Sequence, residues 1–124
     1  MEIDKELLKG HIDTLILALL VDKDRYGYEI AKEVREKSAD AFELKEGTLY
    51  LSLKRLEKKE AVLSYWSDEA AGGARRKYYH LTDAGQTLLQ TKRQEWQVVK
   101  RLMNQFLGGD TDDQRICGPA VPFG

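Results

Sequence analysis

The sequence predicts a mainly α-helical fold with one small β-hairpin and a long helix near the C-terminal end. Three observations predict this fold. Leucines recur at helical spacing within residues 45–59, two strand-like runs follow at 62–67 and 77–82, and a further apolar stripe extends to residue 107. A chain of 124 residues can form one domain with a modest core.

Residues 7–20 and 27–37 have the apolar spacing of two helices. The first helix is apolar all round toward its end, which is typical of a central core helix. Its apolar residues are Leu7, Leu8, Ile12, Leu15, Ile16, Leu19 and Leu20. Residues 22–24 separate the two helices. In the second helix Ile30 and Val34 should face inward, and Gly27 near its start should allow close packing of a neighbouring helix.

The stretch at residues 45–59 predicts an amphipathic helix with two chemically different faces. Leu49, Leu53 and Leu56 repeat at i, i+4 and i+7 and form one apolar stripe. The other residues bring hydroxyls, cations and a phenol, which suit a helix that enters the major groove of DNA. They are Thr48, Tyr50, Ser52, Lys54, Arg55, Lys58 and Lys59. An ordinary amphipathic surface helix would show the same apolar spacing, so the flanking sequence has to decide.

Two strand-like runs follow this helix, and both are rich in β-branched or aromatic residues. Paired glycines within residues 68–74 predict a turn between them. The basic triplet Arg75, Arg76 and Lys77 comes directly after the turn. A helix followed by a hairpin with a basic tip is the order of a winged helix-turn-helix. We therefore interpret the triplet as a set of DNA contacts on the wing, rather than as solvated surface charge.

A last helix is predicted from Thr82, a good N-cap, to Leu107. At 1.5 Å per residue it would be roughly 38 Å long, which exceeds the width of so small a domain. Its apolar residues fall on one side, and an exposed stripe of this size predicts the interface of a two-fold homodimer. The predicted interface residues are Leu88, Leu89, Trp96, Val99, Met103 and Phe106.

These elements predict three segments in the chain. Residues 1–81 would form a winged helix-turn-helix DNA-binding domain, residues 82–107 a C-terminal dimerisation helix, and residues 108–124 a flexible tail. The single cysteine, Cys117, excludes an intrachain disulfide, which fits a reducing interior. Residues 1–6 are acidic where a signal peptide is basic, and the longest apolar run is too short for a bilayer. We therefore expect a cytoplasmic protein without a membrane anchor.

The charge of the chain is unevenly distributed. The net charge is −1 with 33% charged residues, although DNA-binding domains are often strongly basic. Residues 45–59 carry five cations and two acids, a local charge of +3, and residues 74–80 carry three cations and no acid, again +3. Phosphate attraction depends on the local patch within about 10 Å, so this distribution permits DNA binding.

Catalytic, metal and cofactor sites are not predicted. His11 and His80 are far apart in the sequence, and with one cysteine they do not supply the roughly four ligands of a zinc site. No serine has a neighbouring histidine, and the chain has no glycine-rich phosphate loop. We expect a protein that is not an enzyme and has no metal and no cofactor.

Four motifs occur in order along the chain. They are Tyr26-Gly27-Tyr28-Glu29-Ile30, Gly47-Thr48-Leu49-Tyr50, Arg55-Leu56-Glu57 and Arg76-Lys77-Tyr78-Tyr79-His80-Leu81-Thr82-Asp83-Ala84-Gly85. In sequence and spacing the chain resembles the PadR family of bacterial winged-helix transcriptional regulators, specifically its short subfamily, over residues 7 to about 107. Leu51 stands where the family usually has proline, which should alter the opening turn of the helix. Glu60 stands where the family usually has glycine, which removes an easy left-handed helix stop.

The resemblance implies a sequence-specific DNA-binding repressor that recognises a palindromic operator as a homodimer. The residues expected to contact the groove and its flanking phosphates are Thr48, Tyr50, Ser52, Lys54 and Arg55, and those of the wing are Arg75, Arg76 and Lys77. The alternative is a winged-helix protein-interaction module without DNA binding. Such a module would have no need of a basic wing tip, so the wing favours the repressor.

The resemblance also implies a small-molecule effector. Family members with a tryptophan at about the place of Trp96 bind planar, often cationic drugs between the long helices of the dimer. Trp96 and its two-fold mate would stack on a flat aromatic molecule. Glu95 and Asp13 are candidate acids to favour a cation. The alternative for Trp96 is plain dimer core.

Overall fold

The computed structural model describes residues 8, 10–67 and 75–108. The elements in chain order are α1 (Ile12–Leu19), β1 (Arg25–Tyr26), α2 (Gly27–Lys37), α3 (Glu46–Lys58), β2 (Val62–Ser67), β3 (Arg76–Leu81) and α4 (Asp83–Leu107). The predicted mainly α-helical class with a small hairpin is confirmed. The glycine turn predicted within residues 68–74, Leu7, and the tail with Cys117 lie outside the described residues.

The three strands form one antiparallel sheet in the order β1-β3-β2. β2 and β3 pair along their whole length, from Val62 opposite Leu81 to Ser67 opposite Arg76. β1 adds a third strand of two residues, which pair with Tyr78 and Tyr79 of β3. The middle of β3 therefore anchors the predicted hairpin to the segment that leads into α2.

The core lies between the first three helices and the inner side of the sheet. Its most deeply buried large side chains are Ile16, Leu17, Ile30, Leu53 and Leu56. Full burial of such a side chain contributes ~1.5–3 kcal/mol, so these residues largely determine how the helices pack. The apolar stripe predicted on α3 is buried as expected.

Gly27 begins α2 and lies against α3. A Cβ atom at this position would come 2.5 Å from the phenol oxygen of Tyr50. The prediction that Gly27 allows close helix packing is therefore confirmed. The carboxylate of Glu29 accepts a hydrogen bond of 3.3 Å from the backbone N–H of Tyr26 and caps the same end of the helix.

The two ends of α3 are closed differently. Lys45, at the N-cap, makes no side-chain hydrogen bond to the first turn. At the other end Glu60 adopts φ 61°, and the N–H of Ala61 donates to the carbonyl of Leu56 at 2.9 Å. The left-handed stop of this helix is thus present, but it is held by a glutamate rather than by glycine.

Thr82 joins the start of α4 to the end of α3. Its hydroxyl accepts a hydrogen bond of 2.9 Å from the N–H of Gly85, which confirms the predicted N-cap. The same hydroxyl lies 2.7 Å from the carbonyl oxygen of Glu60 and 2.9 Å from that of Ala61, and it donates to these acceptors. A Cβ atom at Gly85 would collide with the Ala61 carbonyl oxygen, so this junction requires glycine.

The chain divides into two compact units between Leu89 and Gln90. Leu89 is only 4% exposed and belongs to the core of the first unit, and Leu88 packs against that core. The division therefore falls within α4. No helix in the described part of the chain is long and apolar enough to cross a membrane.

Candidate nucleic-acid interface

The solvent side of α3 presents a hydroxyl, a phenol and cations. Thr48 and Lys54 are exposed, and Tyr50 is 45% exposed with its ring against Gly27. Arg55 and Lys58 extend the same side toward the end of the helix. The structure therefore brings these predicted residues together on one surface. Their side chains carry groups that can form hydrogen bonds with base edges and phosphates.

Ser52 does not belong to this surface, which corrects the prediction. Its side chain is 0% exposed, and its hydroxyl accepts a hydrogen bond of 2.8 Å from Nη2 of Arg55. Ser52 lies one turn from both Leu49 and Leu56, and therefore beside the apolar stripe. A contact between this hydroxyl and DNA would require α3 to unpack.

Arg55 is exposed but engaged. Its guanidinium bonds to the carboxylate of Asp13 in α1, with Nη2 2.8 Å from Oδ1 and Nε 3.4 Å from Oδ2. Arg55 therefore links α3 to α1, and only part of its guanidinium remains available to a phosphate. Asp13, predicted as a candidate acid for a cationic effector, has its carboxylate committed to this pair.

Aromatic rings support the cations of the wing. The guanidinium of Arg75 lies 5.3 Å from the ring of Trp66, and that of Arg76 lies 4.8 Å from the ring of Tyr26. The ammonium of Lys77 is 5.9 Å from the ring of Tyr79. Cation–π contacts at exposed sites contribute roughly 0.5–1 kcal/mol. They restrict the two arginines and hold the predicted basic triplet at the end of the hairpin that lies next to the turn.

Four tyrosines share the sheet surface next to the start of α2. Tyr78 stacks on Tyr65 at 5.8 Å and meets Tyr26 edge-on at 5.4 Å, and Tyr26 stacks on Tyr28 at 6.2 Å. Such pairs contribute about 0.5–1.5 kcal/mol beyond their buried area. The stack joins both strands of the wing, near their middle, to β1 and α2 and so fixes the wing against these elements.

Asp24 closes one side of this tyrosine surface. Its carboxylate accepts hydrogen bonds from the phenol of Tyr65 at 2.5 Å and lies 2.8 Å from Nδ1 of His80. The bond to Asp24 raises the pKa of Tyr65 to about 12. Burial alone would raise the pKa of Asp24, but the bonds from Tyr65 and His80 outweigh it and lower that pKa. The ionised carboxylate is therefore the form that holds the two strands.

An apolar stripe runs along α4 in the second unit. Trp96 is 48% exposed, and the other large side chains of the stripe are exposed as well. They are Val99, Leu102, Met103, Phe106 and Leu107. Glu95, the other candidate acid for an effector, lies 3.8 Å from the ammonium of Lys92. Of the predicted interface residues, Leu88 and Leu89 are already used by the core of the first unit.

Comparison with known protein families shows to which family the chain belongs. Residues 16–91 match the transcriptional regulator PadR-like family. The chain belongs to the PadR-like family. The matched residues include α3, all three strands and the start of α4, which together carry the surface described above. The resemblance drawn from the four motifs is thereby confirmed, and the short subfamily stays a prediction.

Relatives of this PadR-like chain are similar over nearly their whole length. A PadR family transcription regulator from Clostridium difficile is 56% identical, with a TM-score of 0.70, and the match covers 79% of this chain and 99% of that one. A transcriptional regulator from Clostridium thermocellum is 38% identical, with a TM-score of 0.76, and the match covers 82% and 98%. An uncharacterized protein of Lysinibacillus sphaericus is 42% identical over 84% of this chain and 94% of its own length.

The chain is thus a PadR-like transcriptional regulator. Members of this family are regulators and not enzymes, so the prediction about enzymatic activity is confirmed by the family. Within the described residues no group of three or more His, Cys, Asp or Glu side chains could hold a metal ion.

One exposed residue on the solvent side of α3 was not among the predicted contacts. Leu51 is 63% exposed and lies one turn from Thr48, Lys54 and Arg55. Its spacing in the sequence places it opposite the buried leucines, although its apolar side chain is unlike the other side chains of this surface.

Proposed function

We propose that this regulator is a homodimeric repressor that binds a palindromic DNA site through α3 and the wing. The observation that carries the proposal is the joint exposure of Thr48, Tyr50 and Lys54 on one side of α3. A helix with hydroxyl, phenol and amine groups on its solvent side can bond to base edges and phosphates together. A two-fold dimer would present two such helices, so half-sites should repeat about one helical turn apart.

The wing supports the proposal through charge. Arg75 and Arg76 are exposed and stacked on aromatic rings, and Lys77 follows them on β3. Cations that are already ordered lose less side-chain entropy when they bind phosphate. We propose that the triplet contacts the DNA backbone or minor groove, and that α3 supplies the contacts that depend on sequence.

The α4 stripe supports the proposal of a homodimer. Trp96, Val99, Met103 and Phe106 recur at i, i+3, i+7 and i+10, so they share one side of the helix. All four are exposed in the single chain. A second copy is the simplest partner for such a stripe, since two-fold dimers are the commonest assemblies.

A DNA-binding measurement tests the wing and α3 together. Duplexes from the region upstream of the gene, and a random-sequence pool, would be titrated with the protein at several salt concentrations. The triple variant R75A/R76A/K77A should bind every sequence more weakly. Its salt dependence should be flatter, by up to about 0.9 per lost phosphate contact. The matched control R93A/K100A/R101A removes the same charge from the second unit and should keep wild-type affinity and salt slope.

Two results would contradict the proposal in different ways. A wing triple variant with unchanged affinity and salt slope would remove the wing from the interface. A wild-type chain that binds no duplex above nonspecific affinity would favour the protein-interaction module instead. The control triple variant must keep the wild-type mass in solution, so that a change in assembly is not mistaken for a lost contact.

Sedimentation at micromolar concentration tests the dimer. The wild type should have twice the chain mass of 14.2 kDa. V99E/M103E should dissociate or unfold it, because an unpaired charge buried at an interface is costly. Q94E/Q105E adds the same two charges on the opposite side of α4 and should leave the dimer intact. A wild-type monomer, or equal loss of the dimer in both variants, would contradict the stripe as the interface.

We further propose that a planar aromatic effector stacks on Trp96 and its mate and releases DNA. The support is a half-exposed indole on the stripe that the dimer would bury. An effector weakens DNA binding only as far as it prefers the non-binding arrangement, and couplings of about 1–3 kcal/mol give roughly 5–150-fold relief.

Fluorescence tests the effector site. W66F leaves Trp96 as the only tryptophan, because the chain has two, and excitation at the red edge of the absorption band selects it over the tyrosines. A planar cationic dye should quench that emission and weaken DNA binding. W96A should lose the effect of the dye and largely keep both the dimer and DNA affinity. Unchanged Trp96 emission at high micromolar dye would assign this residue to plain dimer core.

A further inference from the structure

Leu51 is a large apolar side chain in the middle of a polar surface. It is 63% exposed, whereas the other leucines of α3 are 2% exposed or less. Its neighbours one turn away are Gly47 and Thr48 on one side and Lys54 and Arg55 on the other. Single exposed leucines are common on protein surfaces, so exposure alone means little. The position of this one is informative, because it is the centre of the side of α3 proposed to face DNA.

The core does not use Leu51. Leu49, Leu53 and Leu56 already fill the inner side of α3 and are almost completely buried. A leucine that points directly away from this stripe contributes little to the packing of the chain. Its side chain is therefore available for a contact with a partner of the surface.

The surroundings of Leu51 define what that partner must offer. Lys54, Arg55 and Lys58 flank it with positive charge, which suits a duplex whose phosphates border the groove. Residues near the N-terminal end of a groove-entering helix contact base edges, and Leu51 lies in the second turn of α3. At the floor of the major groove only thymine presents an apolar group, its 5-methyl.

We propose that Leu51 packs against the 5-methyl group of a thymine in each half-site and so determines specificity at that base pair. This inference rests on the proposed DNA-binding function. A cytosine at the same place would present its amino group to the leucine and leave that donor without an acceptor. Leu51 would thus select thymine by a favourable apolar contact and reject cytosine through an unsatisfied amino group.

Deoxyuridine provides the test, since it differs from thymidine only by the missing methyl group. The wild-type chain would first select its preferred site from a random duplex pool. Each symmetric pair of thymines in that site would then be replaced by deoxyuridine, and the dissociation constant measured by fluorescence anisotropy at one salt concentration.

At one symmetric pair the wild type should lose about fourfold in affinity per half-site. This factor corresponds to the ~0.8 kcal/mol of one buried methyl group. The two half-sites together should give roughly 15-fold. L51A should bind the thymine site more weakly and lose nothing further on replacement of that pair. L51M, which keeps an apolar side chain, should retain part of the sensitivity.

V21A is the matched control, because Val21 is a similarly exposed apolar residue outside α3 and the wing. It should behave as the wild type with every duplex. Thermal melting of L51A should match the wild type, since the side chain is exposed.

The outcomes separate the two proposals. If L51A keeps the wild-type sensitivity at every thymine, or the wild type is sensitive at none, the thymine contact is overturned while DNA binding stands. If the wild type selects no sequence from the pool, the proposed function fails and the contact fails with it.

Discussion

Arg55 of α3 and Asp13 of α1 form a two-point ion pair, with Nη2 2.8 Å from Oδ1 and Nε 3.4 Å from Oδ2. The hydrogen bond to Asp13 raises the pKa of Arg55. The same guanidinium donates to the buried hydroxyl of Ser52. One arginine therefore fixes the position of α3 against α1 and also stands at the edge of the surface proposed to contact DNA.

A double-mutant cycle should detect this link. Asp13→Asn, Arg55→Gln and the double variant, compared by urea unfolding, should give a coupling free energy of about 0.5–1 kcal/mol, because Arg55 is half exposed and water screens the pair. The pair of Lys37 and Glu33, 3.9 Å apart on the surface of α2, serves as a control and should couple by only about 0.3 kcal/mol. Equal coupling in the two cycles would contradict a special role for Arg55.

Replacing Glu60 by glycine should stabilise the protein. Glu60 has φ 61°, where a side chain costs about 1–2 kcal/mol and glycine costs little. After the extra entropy of glycine in the unfolded chain is subtracted, the gain should be about 0.5–1 kcal/mol. Lys59→Gly, at the neighbouring residue with φ −83°, should destabilise instead. The midpoint of urea unfolding at constant slope measures both, and a lower midpoint for Glu60→Gly would refute the strain.

Replacement by alanine should destabilise the protein more at Gly85 than at Gly27. At Gly85 the new Cβ meets the carbonyl oxygen of Ala61, which cannot move away, so Gly85→Ala should cost about 1–3 kcal/mol or more. At Gly27 it meets the outer end of the Tyr50 side chain, which can swing aside. Gly27→Ala should therefore cost less than about 1 kcal/mol and mainly weaken DNA binding. Thermal melting and DNA titration of both variants measure the two effects. A larger loss of stability in Gly27→Ala than in Gly85→Ala would contradict the prediction.

Acid should weaken the junction at Asp24. The folded state lowers the pKa of this carboxyl below its ordinary value of 3.8. Its contribution to stability is thus complete above that value and is lost as the pH falls through the lower pKa of the folded state. Asp24→Asn should destabilise the protein at about pH 6, and the difference from the wild type should shrink as the pH falls below about 3.8. A difference that stays constant through this range would mean that the carboxylate charge is not what matters.

Local patterns in the sequence predicted most of the fold. The bounds of α2 agree with the prediction at both ends, Gly27 and Lys37, because a break in the sequence and apolar spacing define this helix. β1 was not predicted, since two residues cannot show a periodicity and their pairing partners, Tyr78 and Tyr79, are far along the chain. The pair of Arg55 and Asp13, 42 residues apart, is non-local in the same way.

The site was predicted less completely than the fold. Ser52 was assigned to the polar side of α3 by its residue type, although its position one turn from Leu49 and Leu56 places it beside the core. Leu51 is the converse case, because its apolar side chain is typical of the core but its position opposite the stripe leaves it exposed. At both positions the spacing along the helix predicts burial better than the residue type does. The spacing sets the direction in which a side chain points, and that direction decides whether it reaches the core.

The unequal closure of α3 has a consequence for its motions. The first turn, at Glu46, Gly47 and Thr48, has no side-chain cap and its amides lack acceptors within the helix. The last turn is held by the bonds of Ala61 and Thr82. Amide protons should therefore exchange with solvent rapidly at the start of the helix and slowly at its end. The first turn of α3 is thus the part of the helix that fluctuates most readily. Binding of a ligand at this turn should lower its deuterium uptake.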